Sequence, residues 1–416
     1  MIDNTEELTT VEHVYAVVPV FDKDEKKKID YKAEEIKNLI ESDGVEFVGV
    51  ITPFVREINP ATVIGKGKLD EIKSDLQDKN VDVVVYDGEL TPSQLLNIKS
   101  ALGVKVIDRT TLILDIFAQR ATTLEGKLQV ELAQLNYIYP RLKGKGEALS
   151  RLGGGIGTRG PGETQLETDR RHIRLRIKHL EQSLKDLKTR RNLQTARRKK
   201  INLKTVSIVG YTNAGKSTLI NALTDSTVYA ENKLFATLDT TYRKLELENT
   251  DIVLVDTVGF ISDIPHDLIE AFKSTLESAL NADLILCVAD IINEPDKQTE
   301  VTLNTLKELK CEVPVITVYN KCDCIKNLEE IDRNAVYISA KTGDGLEKLK
   351  RKINSFFSNN YYTVKLLVPF TQIGEYKKML PNVSVTYEKY NDDGLEAEIV
   401  IAKENLYMLK KFKTNR

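Results

Sequence analysis

Short apolar runs alternate with amphipathic stretches over the first part of the chain. The runs with the length of buried strands are Tyr15–Phe21, Val45–Ile51, Val81–Tyr86 and Val104–Ile107. The stretches with helical spacing between them are Tyr31–Glu41, Leu69–Lys79 and Thr91–Ala101. Alternation of strands and helices predicts a parallel sheet with right-handed crossovers. We therefore expect an N-terminal α/β domain over residues 1–118.

Glycines and lysines open one of these helices, in the stretch IGKGK (Ile64–Lys68). A helix N-terminus with such residues could hold a phosphate, and the protein would then be an ATP-driven RNA remodeller. The stretch lacks the full spacing of a Gly-rich phosphate loop, so we interpret it as a plain loop.

A helical pattern follows from Ala121 to Tyr139 and continues beyond a glycine-rich stretch. That stretch, Arg141–Gln165, holds 8 of the 22 glycines of the chain. After it, apolar residues step 4-3-4-3 along one face, at Ile173, Ile177, Leu180, Leu184 and Leu187. This seam predicts an antiparallel helical hairpin with a Gly-rich tip over residues 119–202.

Positive charge is concentrated in the same segment. The 416 residues contain 60 Lys plus Arg and 62 Asp plus Glu, a formal charge of −2. From Arg141 to Lys200 there are 18 basic and 6 acidic residues, which gives +12 and leaves −14 for the rest. Such a segment indicates contact with RNA phosphates. Glycines let the protein backbone approach a phosphate closely, and arginine side chains can donate two hydrogen bonds to phosphate oxygens. Since Tyr137 and Tyr139 are the few aromatics of the predicted hairpin, we expect recognition of RNA backbone and shape rather than base stacking. The alternative is a solvated charged coil with a flexible linker.

Composition excludes several other classes of protein. No run approaches 18 apolar residues, so we expect no membrane span. The acidic start MIDNTEELTT has no secretory signal pattern. Four cysteines are too few for a disulfide scaffold, and Cys322 and Cys324 have no second pair or nearby His that would complete a zinc site. We expect a cytoplasmic protein with reduced thiols, and a monomer.

The strongest chemical signal begins at Thr205. An apolar run is followed by GYTNAGKS (Gly210–Ser217) and then by a helical pattern, the full G-x-x-x-x-G-K-[ST] signature in strand–loop–helix context. Gly210 and Gly215 permit a tight loop whose amides point at phosphate oxygens. Lys216 would contact the β- and γ-phosphates, and the Ser217 hydroxyl would bind Mg²⁺. The sequence therefore predicts a nucleoside triphosphate site.

Later strands end in residues that complete such a site. DIVLVDTVGF (Asp251–Phe260) ends in Asp-x-x-Gly, where Asp256 suits the outer shell of the metal and the Gly259 amide can meet the γ-phosphate. VPVITVYNKCD (Val313–Asp323) ends in Asn-Lys-x-Asp, and its carboxylate can accept from guanine N1–H and the 2-amino group. Adenine would leave that carboxylate unpaired. AVYISAK (Ala335–Lys341) adds a loop whose amide can meet the guanine O6.

This ordered set of motifs resembles a translation-factor-class GTPase domain, over residues 203–359. The resemblance implies that the nucleotide-binding residues are Gly210, Tyr211, Thr212, Asn213, Ala214, Gly215, Lys216, Ser217, Thr218, Phe235, Thr237, Asp256, Gly259, Asn320, Lys321, Asp323, Ser339, Ala340 and Lys341. Catalysis is expected from Lys216, Thr237 and Gly259. Thr237, in the stretch LFATLDTTYR, is our choice for a second Mg²⁺-binding hydroxyl beside Ser217, with Thr240 and Thr241 as alternatives.

Segments outside these motifs narrow the resemblance to one family of GTPases. The stretch GGGIGTRGPGETQLETDRR, together with FATLD and DTVGFI, resembles the HflX family of ribosome-associated GTPases over nearly the whole chain. Thr240 departs from this family, which more often has proline there. The resemblance implies a GTP hydrolase that binds the large ribosomal subunit and its rRNA and splits stalled ribosomes. The alternative is a nucleotide-gated checkpoint factor of RNA or ribosome assembly that splits nothing.

Two positions bear on the rate of hydrolysis. Phe260 stands where many GTPases have a glutamine that orients the attacking water, so either another residue or a partner must supply that function. Asn213 could help to bind K⁺ beside the phosphates, as it does in related GTPases. The remaining residues, 360–416, have a β-α-β-β-α pattern with an NDDG turn (Asn391–Gly394), which predicts a small C-terminal α/β domain.

Overall fold

The computed structural model describes residues 12–21, 26–142, 161–200, 204–224, 241–247, 251–257, 259–260, 280–325, 332, 334–359, 361–380 and 383–415. It divides into two compact units, one formed mainly by the chain up to Lys185 and one formed mainly by the chain from Asp186 onward. Phe235, Thr237 and Thr240 lie outside the described residues, as does most of the Gly-rich tip. The four domain boundaries given above stay a prediction.

The first unit begins with a four-stranded sheet in the order β2-β1-β3-β4, and all of its neighbouring strands are parallel. Its strands are β1 (His13–Val17), β2 (Glu46–Ile51), β3 (Val83–Tyr86) and β4 (Lys105–Asp108). Its helices are α1 (Lys26–Ser42), α2 (Lys66–Asp78), α3 (Pro92–Leu102) and α4 (Arg109–Arg120). The predicted parallel α/β architecture is confirmed.

Local sequence explains where these helices begin and end. Thr91 and Gln94 form a reciprocal capping box at the start of α3, with Pro92 in its first turn. Gly103 ends α3 in a left-handed conformation, with a φ of 79°. In the IGKGK stretch, α2 begins after Gly65 without a side-chain cap, and Lys68 forms an ion pair with Glu71 at 2.6 Å.

A buried ionic cluster joins three elements of this unit. The Arg109 guanidinium lies 2.7 Å from Glu35 of α1 and 2.6 Å from Asp87, which follows β3. All three side chains are less than 9 % exposed. Such a cluster tolerates burial only because each charge has a partner, and it fixes α4 against α1 and the end of β3.

The helical hairpin follows, and its residues up to Lys185 belong to the same unit. Its helices are α5 (Leu124–Arg141) and α6 (Pro161–Lys200). Glu131 forms an ion pair with Arg176, and Tyr139, which lies later in α5, contacts Arg174, which lies earlier in α6. The two helices are therefore antiparallel. The five seam positions of α6 are buried or half-buried, whereas most of its other described side chains are exposed. The predicted antiparallel hairpin is therefore present.

The second unit contains a six-stranded sheet in the order β10-β9-β8-β5-β7-β6. All neighbours are parallel except β6 and β7. The strands are β5 (Lys204–Gly210), β6 (Tyr242–Glu246), β7 (Asp251–Asp256), β8 (Leu284–Asp290), β9 (Val315–Asn320) and β10 (Val336–Tyr337). The helices are α7 (Lys216–Thr224), α8 (Pro295–Glu308) and α9 (Leu346–Asn359). The carboxyl ends of β5, β7, β8 and β9 lie at one edge, where ligands bind in such sheets.

The C-terminal part of this unit is an antiparallel sheet in the order β12-β13-β11-β14. Its elements are β11 (Tyr361–Val368), α10 (Ile373–Met379), β12 (Val383–Asn391), β13 (Gly394–Ala402) and β14 (Lys413–Asn415). The NDDG turn joins β12 to β13, as predicted. The predicted last α-helix is wrong: Lys403–Lys411 is 3₁₀, and β14 follows it. A 3₁₀ segment advances about 2.0 Å per residue against 1.5 Å for an α-helix, which lets this short stretch return the chain to β11.

Candidate functional site

Two glycines shape the loop between β5 and α7. Gly210 has a φ of 151°, and a Cβ there would lie 2.0 Å from the Val288 carbonyl oxygen of β8. Gly215 has a φ of 88°, and its Cβ would lie 2.3 Å from Asn320 Nδ2. Both positions therefore exclude side chains, because backbone and neighbours already fill the space. The tight loop expected from the G-x-x-x-x-G-K-[ST] spacing is present.

Lys216 lies inside this loop. Its ammonium donates to the carbonyl oxygens of Gly210 at 3.1 Å and of Tyr211 at 2.8 Å. The side chain is buried, and that burial lowers the pKa of Lys216 to about 8. The cation stands at the first residue of α7, where the helix dipole also favours an anion. This arrangement suits a polyphosphate.

A hydroxyl and a carboxylate lie side by side at the start of α7. Ser217 Oγ donates to Asp256 Oδ2 at 3.2 Å, and Asp256 is the last residue of β7. Hard oxygen donors of this kind are what Mg²⁺ prefers, usually with phosphate and water as further ligands. The pair therefore fits the metal that this fold implies. Among the residues that the structure describes, no group of three or more His, Cys, Asp or Glu side chains could hold a metal.

The Asp-x-x-Gly motif is bound directly to the phosphate loop. Phe260 N donates to the Gly210 carbonyl at 3.0 Å, and Thr212 N donates to the Phe260 carbonyl at 2.6 Å. A Cβ on Gly259 would lie 2.9 Å from Lys216 Nζ, so only glycine allows this approach. Gly259 therefore lies beside the ammonium.

The Phe260 side chain points into the core. It is buried in an apolar cluster with Val209, Ile285, Cys287 and Leu306. The backbone bonds on either side of it fix this direction. A buried phenyl ring cannot orient water, so residue 260 does not replace the missing glutamine.

The Asn-Lys-x-Asp motif joins two loops. The Asn320 side chain donates to the Ala214 carbonyl at 2.8 Å and accepts from the Ala340 amide at 2.9 Å. Asp323 Oδ1 accepts from Ser339 Oγ at 2.6 Å, and this bond, with a smaller contribution from the Lys341 charge, lowers the pKa of Asp323. The Asp323 carboxylate is thus kept ionised and oriented while remaining accessible.

Lys321 has a partner that the sequence did not suggest. Its ammonium lies 2.9 Å from Oδ2 of Asp290, the buried last residue of β8. The Asp290 amide in turn donates to Gln298 Oε1 of α8 at 2.9 Å. The sequence shows a carboxylate, Asp290, at the end of a strand, which marks it as a candidate site residue. Its contact with Lys321 depends on the β8–β9 pairing, which the sequence does not show.

The structure brings the predicted residues of three motifs to the same edge of the sheet. The phosphate loop (residues 210–217), the Asp256–Gly259 motif and the Asn320–Asp323 motif are linked by the hydrogen bonds described above. Thr218 lies in the first turn of α7, and Asn213 is exposed with a φ of 59°. Of the alternative threonines, Thr241 accepts from Asp256 N through its carbonyl.

Comparison with known proteins places this site in a family. Residues 30–118 match a family described as GTP-binding GTPase N-terminal, residues 120–198 match the GTP-binding GTPase Middle Region, and residues 205–321 match a 50S ribosome-binding GTPase family. A protein named GTPase HflX from Caldanaerobacter subterraneus subsp. tengcongensis is 48% identical over 381 residues, or 91% of this chain and 89% of that protein. The chain belongs to the HflX family of GTPases. As a member of the HflX family it is a GTP-hydrolysing enzyme.

Other HflX relatives give the same picture. GTPase HflX of Escherichia coli (strain K12) is 44% identical over 346 residues, which cover 81% of each chain. Among solved structures, a GTP-binding protein from Sulfolobus solfataricus in complex with GDP has a TM-score of 0.45 and 24% identity, and covers 84% of this chain and 99% of that one. None of the described helices has the length and apolar character needed to cross a membrane.

Proposed function

We propose that this HflX-family GTPase uses its GTP form to bind the large ribosomal subunit and rRNA, and that it splits stalled ribosomes in the cytoplasm. The observation that carries the nucleotide part is the buried Lys216 ammonium, flanked by Gly259 and held by carbonyls of the phosphate loop. The ribosomal part is supported by the +12 charge of residues 141–200. GTP ordering of the loops around the phosphate would then favour the RNA-bound arrangement.

The phosphate loop would hold the triphosphate through backbone amides from Gly210 to Thr218. Lys216 neutralises charge between the β- and γ-phosphates, and the Gly259 amide meets the γ-phosphate. Because Gly259 already lies against the Lys216 ammonium, a γ-phosphate must enter between them. The segment of Gly259 and Phe260 would therefore respond to the presence or absence of the γ-phosphate.

Guanine would be recognised by the second pair of motifs. The Asp323 carboxylate accepts from N1–H and the 2-amino group, and the amide of Ala340 or Lys341 meets O6. Ser339 supports this role because it orients the carboxylate at 2.6 Å. Lys321, held by Asp290, lies along the base. An adenine nucleotide would leave the Asp323 carboxylate unpaired, which disfavours ATP.

Ser217 would bind Mg²⁺ directly, with Asp256 in its outer shell and Thr237 as the second protein hydroxyl. When bound, the metal neutralises charge on the phosphates. Asn213 would assist K⁺ binding at the same phosphates, and Phe235 would border the nucleotide. Equal hydrolysis rates in Na⁺ and K⁺ buffers, with and without ribosomes, would contradict the K⁺ part.

Slow hydrolysis by the free protein follows from the direction of Phe260. Because the Phe260 ring is buried in the apolar cluster, residue 260 cannot act as the usual glutamine beside Gly259 does, and a partner is expected to complete the site. Stabilisation of this kind contributes roughly 10³–10⁵ in rate in other GTPases. We therefore expect hydrolysis to be stimulated by the ribosome.

The test is sedimentation of intact ribosomes with GTP, a non-hydrolysable GTP analogue or GDP. Splitting predicts free subunits with the first two nucleotides, and the protein should travel with the large subunit. The checkpoint alternative predicts bound protein on particles that stay intact. Attachment that is identical with GTP, GDP or no nucleotide would contradict both. K216A serves as the control, since it removes the phosphate-binding cation and leaves the hairpin unchanged.

A further inference from the structure

We propose that Tyr139, Arg170 and Arg174 form a preorganised binding site for a backbone phosphate of RNA on the helical hairpin. This inference rests on the RNA-binding function proposed above and names the residues that carry it. Both arginines belong to α6, one helical turn apart, and Tyr139 belongs to α5. All three lie in the half of the hairpin nearest to the Gly-rich tip.

The tyrosine holds the two guanidinium groups in place. Its hydroxyl oxygen accepts from Arg174 Nη2 at 2.6 Å and from Arg174 Nε at 3.1 Å. The guanidinium carbons of Arg170 and Arg174 lie 5.5 and 5.7 Å from the centroid of its ring. Two cations therefore converge on one tyrosine side chain.

The same helix offers an arginine with the opposite environment. Arg176 makes two hydrogen bonds to the Glu131 carboxylate, from Nε at 2.6 Å and from Nη2 at 2.8 Å. The Glu131 carboxylate thus neutralises the positive charge of Arg176. A phenol oxygen, in contrast, fixes a guanidinium without cancelling its charge. Among the described side chains, neither Arg170 nor Arg174 has a carboxylate partner, although Glu167 is three residues from Arg170.

Phosphate is the ligand that this arrangement fits. The N–H groups of a guanidinium form a planar fork that can donate to two phosphate oxygens at once. The N–H groups of Arg174 that do not face Tyr139 remain available for such a contact. A free arginine loses side-chain entropy when it binds, whereas a guanidinium already held by Tyr139 loses less. With two positive charges beside one half-buried ring, the site favours the backbone of RNA over a protein surface.

Binding of a fluorescein-labelled single-stranded RNA and of purified large subunits to the full-length protein tests the site. We expect R170Q and R174Q each to weaken RNA binding roughly fivefold near 0.1 M salt, the size of one charge-assisted contact on an exposed surface. Each should also make the plot of log K against log salt shallower by about 0.7. R176Q, the matched control on the same helix, should change neither quantity. Y139F should weaken binding about twofold to threefold with an unchanged salt slope, because it frees Arg174 but keeps its charge.

The outcomes separate this inference from the function it rests on. If the wild-type protein binds neither RNA nor subunits, the proposed function fails. If it binds both, but R176Q loses as much affinity as R174Q, then only total charge matters and the phosphate site does not exist. Binding to vesicles with anionic lipid headgroups that depends on the same residues, without binding to RNA, would also overturn it. Unchanged GTP hydrolysis without ribosomes in R170Q and R174Q shows that the variants fold.

Discussion

Replacing Asn320 by alanine would remove the side chain that links the phosphate loop to the guanine-contacting loop. The amide donates to the Ala214 carbonyl at 2.8 Å and accepts from the Ala340 amide at 2.9 Å. Since Asn320 is buried, N320A takes the partner from one carbonyl and one N–H group. Each such loss costs about 1 to 3 kcal/mol. Both loops border the nucleotide site and water can reach them there, so we expect about 2 to 3 kcal/mol in total.

Titration with a fluorescent GTP analogue measures this effect. A cost of that size raises the dissociation constant roughly 30- to 140-fold. The part of the cost that falls on the fold itself would appear as a lower free energy of unfolding in urea, so both must be measured. S339A is the comparison: it releases the Asp323 carboxylate and should weaken GTP binding for that reason, but it leaves the link between the loops intact and should not lower the urea midpoint as N320A does. A N320A protein that binds GTP within about threefold of wild type and unfolds at the same urea concentration would refute the argument.

Three further predictions concern the same site. G215A should lose GTP binding, because its Cβ would displace Asn320, whereas G343A, with a similar positive φ and open space, should keep GTP binding and lose about 1 to 2 kcal/mol of stability through backbone strain. F260Q should lower the free energy of unfolding by about 2 to 4 kcal/mol, since it buries an amide in an apolar cluster, and should not accelerate hydrolysis; a faster free GTPase would contradict the orientation of Phe260. GTP affinity should fall above about pH 8, where Lys216 loses its proton, and a pH series with K216R should be flat there because a guanidinium stays charged. The cost of burying the Lys216 ammonium is fully present below pH 8 and is relieved above it, so this group makes the folded state more stable at the higher pH. Unfolding caused by Lys216 therefore cannot explain a loss of GTP affinity in that range.

The parts of the fold that depend on local pattern could be predicted from the sequence. The parallel N-terminal sheet followed from alternating strand and helix patterns, and the α6 seam followed from its 4-3-4-3 steps. The phosphate loop could be predicted because its spacing is local: Gly210, Gly215 and Lys216 are fixed within one strand–loop–helix unit.

Contacts between distant segments could not be predicted in this way. The Asp290–Lys321 pair depends on the register of β8 and β9, which no local pattern encodes. The inward direction of Phe260 depends on backbone bonds to the phosphate loop, about fifty residues earlier in the chain. The 3₁₀ segment at Lys403–Lys411 has a helical period, which over so short a stretch does not distinguish a 3₁₀ helix from an α-helix.

The buried cluster of Arg109, Glu35 and Asp87 limits how this domain can evolve. Loss of Glu35 or Asp87 still leaves a one-to-one ion pair, whereas loss of Arg109 leaves two buried carboxylates without their shared cation, at a cost of about 3 to 5 kcal/mol. That is a large fraction of the 5 to 15 kcal/mol by which a typical domain is stable. Loss of Arg109 alone is therefore blocked while both carboxylates are present, and Arg109 should be inherited or replaced together with them. Aligned HflX sequences should show them covarying, with apolar side chains of matching volume as the accepted substitute.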